Sequence, residues 1–110
     1  MQRPHVFAAA QAARALNEPG RLSARIFAHG SMEARWYAPH GVDQQVPHTR
    51  DEVYVVVSGE GRFVCKGTSS PCRAGDLLFA PAGAEHRFED FSGDFATWVI
   101  FYGPEGGEAG

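Results

Sequence analysis

From Leu22 to Tyr102 the chain is cut into short β-type runs by glycine, proline, aspartate and serine. LSARIFAHG, MEARWYAP, EVYVVVSG, GRFVCKG, PCRAGDLLFAP, EHRFEDF and DFATWVIFYG follow one another in this way. Such runs, bounded by turn residues, read as strands. A βαβ fold needs helices between its strands, and this stretch has room for none. The pattern therefore predicts an all-β sandwich or jelly-roll barrel of about eight strands. EVYVVVSG and DFATWVIFYG are apolar at consecutive positions, which predicts strands buried on both faces. Gly59-Glu60-Gly61 predicts a hairpin turn between two of the runs.

The only helical signal precedes them. HVFAAAQAARALNEPG predicts a short amphipathic helix over about Ala8–Asn17, stopped by Pro19-Gly20. The chain of 110 residues is long enough for one core. Its expected organisation is a helical segment over 1–20, a β-barrel over 21–103 and a disordered tail, PEGGEAG, over 104–110.

Composition removes several classes of function. The net charge is −3 and Lys66 is the sole lysine, so no basic stripe exists to track a phosphate backbone and nucleic acid is not an expected partner. No apolar stretch approaches the roughly 20 residues of a membrane helix. Gln11, Arg14 and Asn17 interrupt the alanine-rich start, so it does not read as a signal peptide, and a cytoplasmic protein is expected. Cys65 and Cys72 lack CxxC spacing, which excludes a zinc ribbon, and two reduced thiols are the expectation.

Chemistry-bearing residues gather in two segments, GVDQQVPHTRDEVYVVVSGEG and GDLLFAPAGAEHRFED. His48 and Glu52 are four apart, so a continuous strand would turn both to one face, together with Tyr54 and Val56. A carboxylate aimed into an apolar barrel is costly unless it meets a cation or a donor. His86 opens a different strand, just past the turn Pro81-Ala82-Gly83. Two imidazoles and one carboxylate meeting at a point would bind a divalent metal.

The spacing of these residues resembles the two motifs of the cupin family. Gly75, Pro81-Ala82-Gly83, His86 and Asp90 follow the second motif, with Asp90 in the position of an asparagine. Glu52 and Gly59 keep the second half of the first motif, and His48 stands at its second histidine. Its first histidine falls on Val46, which has no ligating atom, and Gly41 is one residue out of step. The resemblance implies a double-stranded β-helix and a metal set of His48, Glu52 and His86. Gln44, in strand phase with Val46 and His48, or its neighbour Gln45 offers an amide oxygen as an extra ligand. The resemblance also implies a divalent ion (Fe, Mn, Ni, Zn or Co), a small-molecule ligand in the barrel and pairing into a homodimer. A two-His-one-carboxylate set with open positions suits dioxygenase-type oxidation. Isomerase or lyase chemistry on a sugar or small acid, and non-catalytic ligand sensing, are the alternatives. Strand parity nominates Trp36, Tyr54, Phe88 and Trp98 as pocket aromatics, and Arg35 and Arg50 as contacts for an anionic ligand.

Overall fold

A computed structural model describes residues 5–109. One short helix, α1 (Ala9–Arg14), precedes eight strands: β1 (Ser23–His29), β2 (Met32–Tyr37), β3 (Asp51–Ser58), β4 (Glu60–Cys65), β5 (Thr68–Arg73), β6 (Leu77–Ala80), β7 (His86–Glu89) and β8 (Ala96–Tyr102). They form a five-stranded sheet in the order β1-β2-β8-β3-β6 and a three-stranded sheet in the order β5-β4-β7. Every pairing is antiparallel. This is the all-β jelly-roll expected from the punctuated runs.

The two sheets enclose a core of Tyr54, Val56, Phe63, Phe88, Phe95 and Val99. Aromatic rings meet edge-on within it: Tyr54 and Phe88 lie 5.0 Å apart, and Phe88 and Phe95 4.8 Å. Such tilted pairs place a positive ring edge against a negative ring face. A second cluster lies on the other side of the larger sheet, where Ala12 of α1 packs on Trp36 and Ala96.

Several expectations need correction. α1 ends at Arg14, short of Asn17, without a side-chain N-cap or an acidic residue in its first turn. A helix with neither support holds its length through packing alone. PCRAGDLLFAP is two strands, because Gly75 takes φ +97° and reverses the chain between β5 and β6. β3 is buried only on its inner face: Tyr54 and Val56 are inaccessible, whereas Val53, Val55 and Val57 remain half-buried. The tail is docked rather than disordered over 104–109. Gly106 N–H donates to the Thr49 carbonyl at 2.7 Å, and Glu108 N–H donates to Asp51 Oδ2 at 2.8 Å. Polar, glycine-rich composition cannot bury side chains, but it leaves backbone donors free for a neighbouring carboxylate. The first four residues of the expected helical segment, and Gly110, lie outside the described residues.

Candidate metal centre

Glu52 is the second residue of β3 and turns inward in phase with Tyr54, so its carboxylate is fully buried. His86 is the first residue of β7, opposite Cys65 of β4, and is likewise buried. His48 does not share a strand with Glu52, because β3 starts at Asp51. It arrives instead from the irregular segment before β3, and the 81–85 turn holds it there: Gly83 N–H donates to the His48 carbonyl at 2.8 Å. Gly83 has φ +79°, a conformation natural to glycine. One turn thus anchors His48 by its backbone and launches His86 into the barrel. Ligand atoms of His48, Glu52 and His86 lie within 4.8 Å of one another.

The protonation pattern of this cluster decides its chemistry. His86 Nδ1 donates to the carbonyl of Ala84 at 2.9 Å. In a neutral imidazole that bond leaves Nε2 as a bare acceptor. Nε2 is in close contact with Glu52 Oε1, also an acceptor, without hydrogen-bond geometry between them. Glu52 Oε2 is buried without a hydrogen-bond partner as well, although His48 Nδ1 stands 3.2 Å away. Two buried acceptors held together repel unless a cation lies between them. A proton or a metal ion between them removes the repulsion, and a backbone carbonyl orienting the far nitrogen is typical of a metal-bound histidine.

Without a metal, the pair behaves as an ion pair. Burial pushes the Glu52 carboxyl up, but His48 and His86 outweigh it and hold the group below the usual range. For His86, burial pushes the imidazole down, while the Glu52 carboxylate and the Ala84 carbonyl more than reverse that and raise it.

Around the cluster lies a hydrogen-bonded chain that the sequence pattern does not announce. Tyr54 O–H stands 3.3 Å from Glu52 Oε1 and 2.9 Å from Gln45 Oε1. Gln45 Nε2 donates to Asp43 Oδ2 at 2.8 Å, and the same oxygen accepts from Phe88 N–H at 2.8 Å. Tyr37 O–H donates to Asp43 Oδ1. Burial, then the Asp43 carboxylate, push the Tyr37 hydroxyl far above its ordinary value, so it stays a donor. Asp43 and Gln45 sit in a polar, glycine- and proline-marked stretch, where sequence alone gives no sign of burial.

Gln44, the expected extra ligand, is exposed, and Val46 is 68 % exposed. The loop turns Gln45 inward in their place. Of the four aromatics, Tyr54 reaches the cluster. Phe88 is sealed in the core at 1 % exposure. Trp36 and Trp98 lie on the outer face of the sheet, edge to face at 5.0 Å, and Trp36 is covered by α1. Their registered neighbours Arg35, Tyr37, Thr97 and Val99 take the inner face. The alternation was legible, but its phase is reversed by the helix, which buries the outer tryptophan.

A cavity of about 160 Å³ opens beside the cluster, lined by His48, Tyr54, Gln45, Tyr37 and Arg35 among others. It shares Ser23, Arg35, His48 and Phe101 with a wider outer groove of about 500 Å³. His48 is therefore the exposed edge of the cluster, and Glu52 and His86 its floor.

Comparison with known proteins agrees with this architecture. Residues 36–101 match the family model of the cupin domain. An uncharacterized protein of Streptomyces coelicolor is 33 % identical over 97 residues, covering 86 % of this chain and 90 % of its own. The crystal structure of a cupin-2 domain containing protein from Shewanella frigidimarina superposes with a TM-score of 0.72 at 17 % identity, over 89 % of this chain and 95 % of that one. The DMSP lyase DddQ from Ruegeria pomeroyi superposes with a TM-score of 0.63 at 24 % identity, over 76 % of this chain and 48 % of that one. With the matched residues spanning β2 to β8 and taking in all three members of the cluster, the chain belongs to the cupin family.

Proposed function

We propose that this cupin holds a divalent metal ion on His48, Glu52 and His86 and binds a small organic ligand beside it in the barrel mouth. The observation that carries the reading is the convergence of ligand atoms of His48, Glu52 and His86 within 4.8 Å of one another, with His86 Nδ1 committed to Ala84. When bound, the ion would supply Lewis-acid or redox chemistry and keep positions open for ligand. The residues around it position that ligand: His48 borders both cavities, and Tyr37 and Tyr54 line the inner one.

Dioxygenase-type oxidation is the first activity to test, since a two-His-one-carboxylate set suits it. The alternatives are isomerase or lyase chemistry on a sugar or small acid, and non-catalytic ligand sensing. The chain is proposed to pair as a homodimer through the outer face of its larger sheet. The deciding experiment is elemental analysis of untagged protein beside a His48→Ala/His86→Ala variant. Near-stoichiometric metal that the variant loses supports the reading. A protein that takes up no metal even on reconstitution overturns it. Oxygen consumption on adding Fe(II) and candidate ligands then separates oxidation from lyase chemistry.

A further inference from the structure

The wall above His48 sets two half-buried guanidiniums, Arg35 and Arg50, against one half-buried carboxylate, Glu33, with a second carboxylate, Glu105, exposed at its rim. β2 turns Glu33, Arg35 and Tyr37 to the inner face, in phase with Val99 of β8. Interior positions of a small barrel are ordinarily apolar, so three polar residues in a row mark a surface built to meet something polar. Arg50, just before β3, joins them. Both guanidiniums converge on one carboxylate: Arg35 Nη1 is 2.7 Å from Glu33 Oε2, and Arg50 Nη2 is 3.4 Å from Glu33 Oε1. Glu33 thus engages only part of the donor set of each guanidinium, which has five N–H groups.

Neither arginine is a loose surface side chain. Arg35 Nε donates to Ser23 Oγ at 2.9 Å, Arg50 Nη1 donates to the Ser31 carbonyl, and Arg50 lies over the Phe101 ring at 5.8 Å. Glu105 also borders the outer groove, but it is exposed, where solvent and salt screen it. Arg35 and His48 border both cavities, so a ligand reaching the metal cluster passes the guanidinium. A divalent ion held by Glu52 as its only anionic ligand would add a further positive charge at the inner end.

We infer that the ligand of this site is a small organic acid, with its carboxylate received by Arg35 and Arg50 and a second oxygen turned to the His48–Glu52–His86 cluster. This rests on the proposed metal site. A planar guanidinium matches a carboxylate in shape as well as charge. The inner cavity of about 160 Å³ equals roughly five water volumes, which limits the part of the ligand lodged there to about five non-hydrogen atoms.

The test is calorimetric titration of the Mn(II)-reconstituted protein with pyruvate, malonate and succinate, and with malonamide and succinamide as neutral matches. At least one acid is expected to bind about tenfold or more tightly than its amide, the ratio equivalent to one charge-assisted contact. Arg35→Gln and Arg50→Gln should each lose about tenfold in that affinity with metal content unchanged, and Arg35→Lys should retain part of it. Thermal unfolding of each variant checks that it folds. Amides binding as well as acids, arginine variants binding like the parent, or no acid binding at millimolar concentration would each overturn the inference. Should the protein take up no metal yet bind an acid through Arg35, the anion site stands and the metal reading falls.

Discussion

His86 Nε2 and Glu52 Oε1 are held in contact in the barrel, and the charge state of the imidazole decides whether they attract or repel. Nδ1 of His86 is committed to the Ala84 carbonyl at 2.9 Å, so Nε2 meets Glu52 Oε1 with nothing to donate in the neutral ring. The consequence is a sharp substitution test. Glu52→Gln keeps the side-chain volume, removes the charge and places an amide N–H opposite Nε2. Metal affinity is expected to fall at least about 10–100-fold, the usual scale of a disrupted metal site. The metal-free variant is expected to melt below the metal-free parent where the His86–Glu52 ion pair forms, between about pH 4.5 and 6.5, and to approach it at higher pH. Equal melting of the two metal-free proteins across that range would mean that no such ion pair forms.

Acidity should move metal binding and metal-free stability in opposite directions. The His86 imidazole is raised above its unfolded value of about 6.5. Its contribution to stability is thus complete below about pH 6.5 and is lost as pH rises through the higher folded value. The Glu52 carboxyl is held below its ordinary value of 4.5, so its contribution is present above that pH and is lost as pH falls through the lower folded value. The metal-free ion pair therefore helps most between about pH 4.5 and 6.5. A metal must displace the proton on Nε2, so its affinity should climb as pH rises through the folded pKa of His86. Melting curves of chelator-treated protein and metal titrations across that range check both slopes. Affinity that does not change with pH would remove His86 from the ligand set.

The barrel is legible in the sequence for a physical reason, whereas the cluster is read from the resemblance to the cupin motifs. Turn residues act locally, so Pro81-Ala82-Gly83 announces a reversal and sets the direction in which β7 leaves it. Which residues of β3 and β7 turn inward is not given by the two-residue period, which fixes only that Glu52 shares a face with Tyr54. Asp90 at an asparagine position also kept its meaning, since it takes φ +51° and aspartate and asparagine both tolerate that region. The features that stayed hidden depend on distant partners. Whether Trp36 or Arg35 faces inward is set by α1 covering the other side, and alternation alone gives no phase. Asp43 and Gln45 look like solvated loop residues until Tyr37, Tyr54 and Phe88 are brought to them. The tail looks unstructured until Asp51 captures its backbone.

Asp43 ties the irregular segment before β3 to the barrel. Its carboxylate accepts from Tyr37 O–H, Gln45 Nε2 and the buried N–H of Phe88. Asp43→Ala leaves all three donors without their acceptor. The expected loss is about 2–4 kcal/mol, since hydrogen bonds to charged groups contribute about 1.5–3 kcal/mol and an orphaned buried N–H costs more. Urea denaturation should show a lower midpoint with an unchanged slope. A loss below about 0.5 kcal/mol, the scale of ordinary surface substitutions, would contradict the network.

Asp51 joins the tail to the turn that carries His86. Oδ1 accepts from Ala82 N–H at 2.9 Å and Oδ2 from Glu108 N–H at 2.8 Å. These bonds, that from Glu108 first, hold the Asp51 carboxyl below its ordinary value of 3.8. The docking should be complete above about pH 4 and released as pH falls through the lower folded value, because only the ionised group accepts twice. Amide NMR shifts of Ala82 and Glu108 should titrate together. Asp51→Ala should speed hydrogen exchange at both amides at neutral pH and weaken metal binding through the loosened turn. Exchange at Glu108 as slow as in the parent would show that the tail is held by other contacts.

The outer face of the larger sheet predicts association. Leu77 and Phe79 are 71 % and 51 % exposed on β6. They stand opposite Val55 and Val53, and Val53 in turn pairs with Ile100 of β8. Beyond Ile100 the apolar surface continues into a groove lined by Trp98, Ala34 and Phe27. Edge strands that stay soluble are usually short or charged. β6 is short, but its outward side chains are large and apolar. Contiguous apolar surface of this kind marks an interaction site in most soluble proteins. Sedimentation velocity is expected to give twice the 11.9 kDa chain mass at micromolar concentration, and Leu77→Glu with Phe79→Glu should return it to the monomer. Metal content should survive that change, since neither residue borders the cavities beside His48. A parent protein that sediments as a monomer at every concentration would leave the exposed leucine and phenylalanine as tolerated surface residues and remove the pairing.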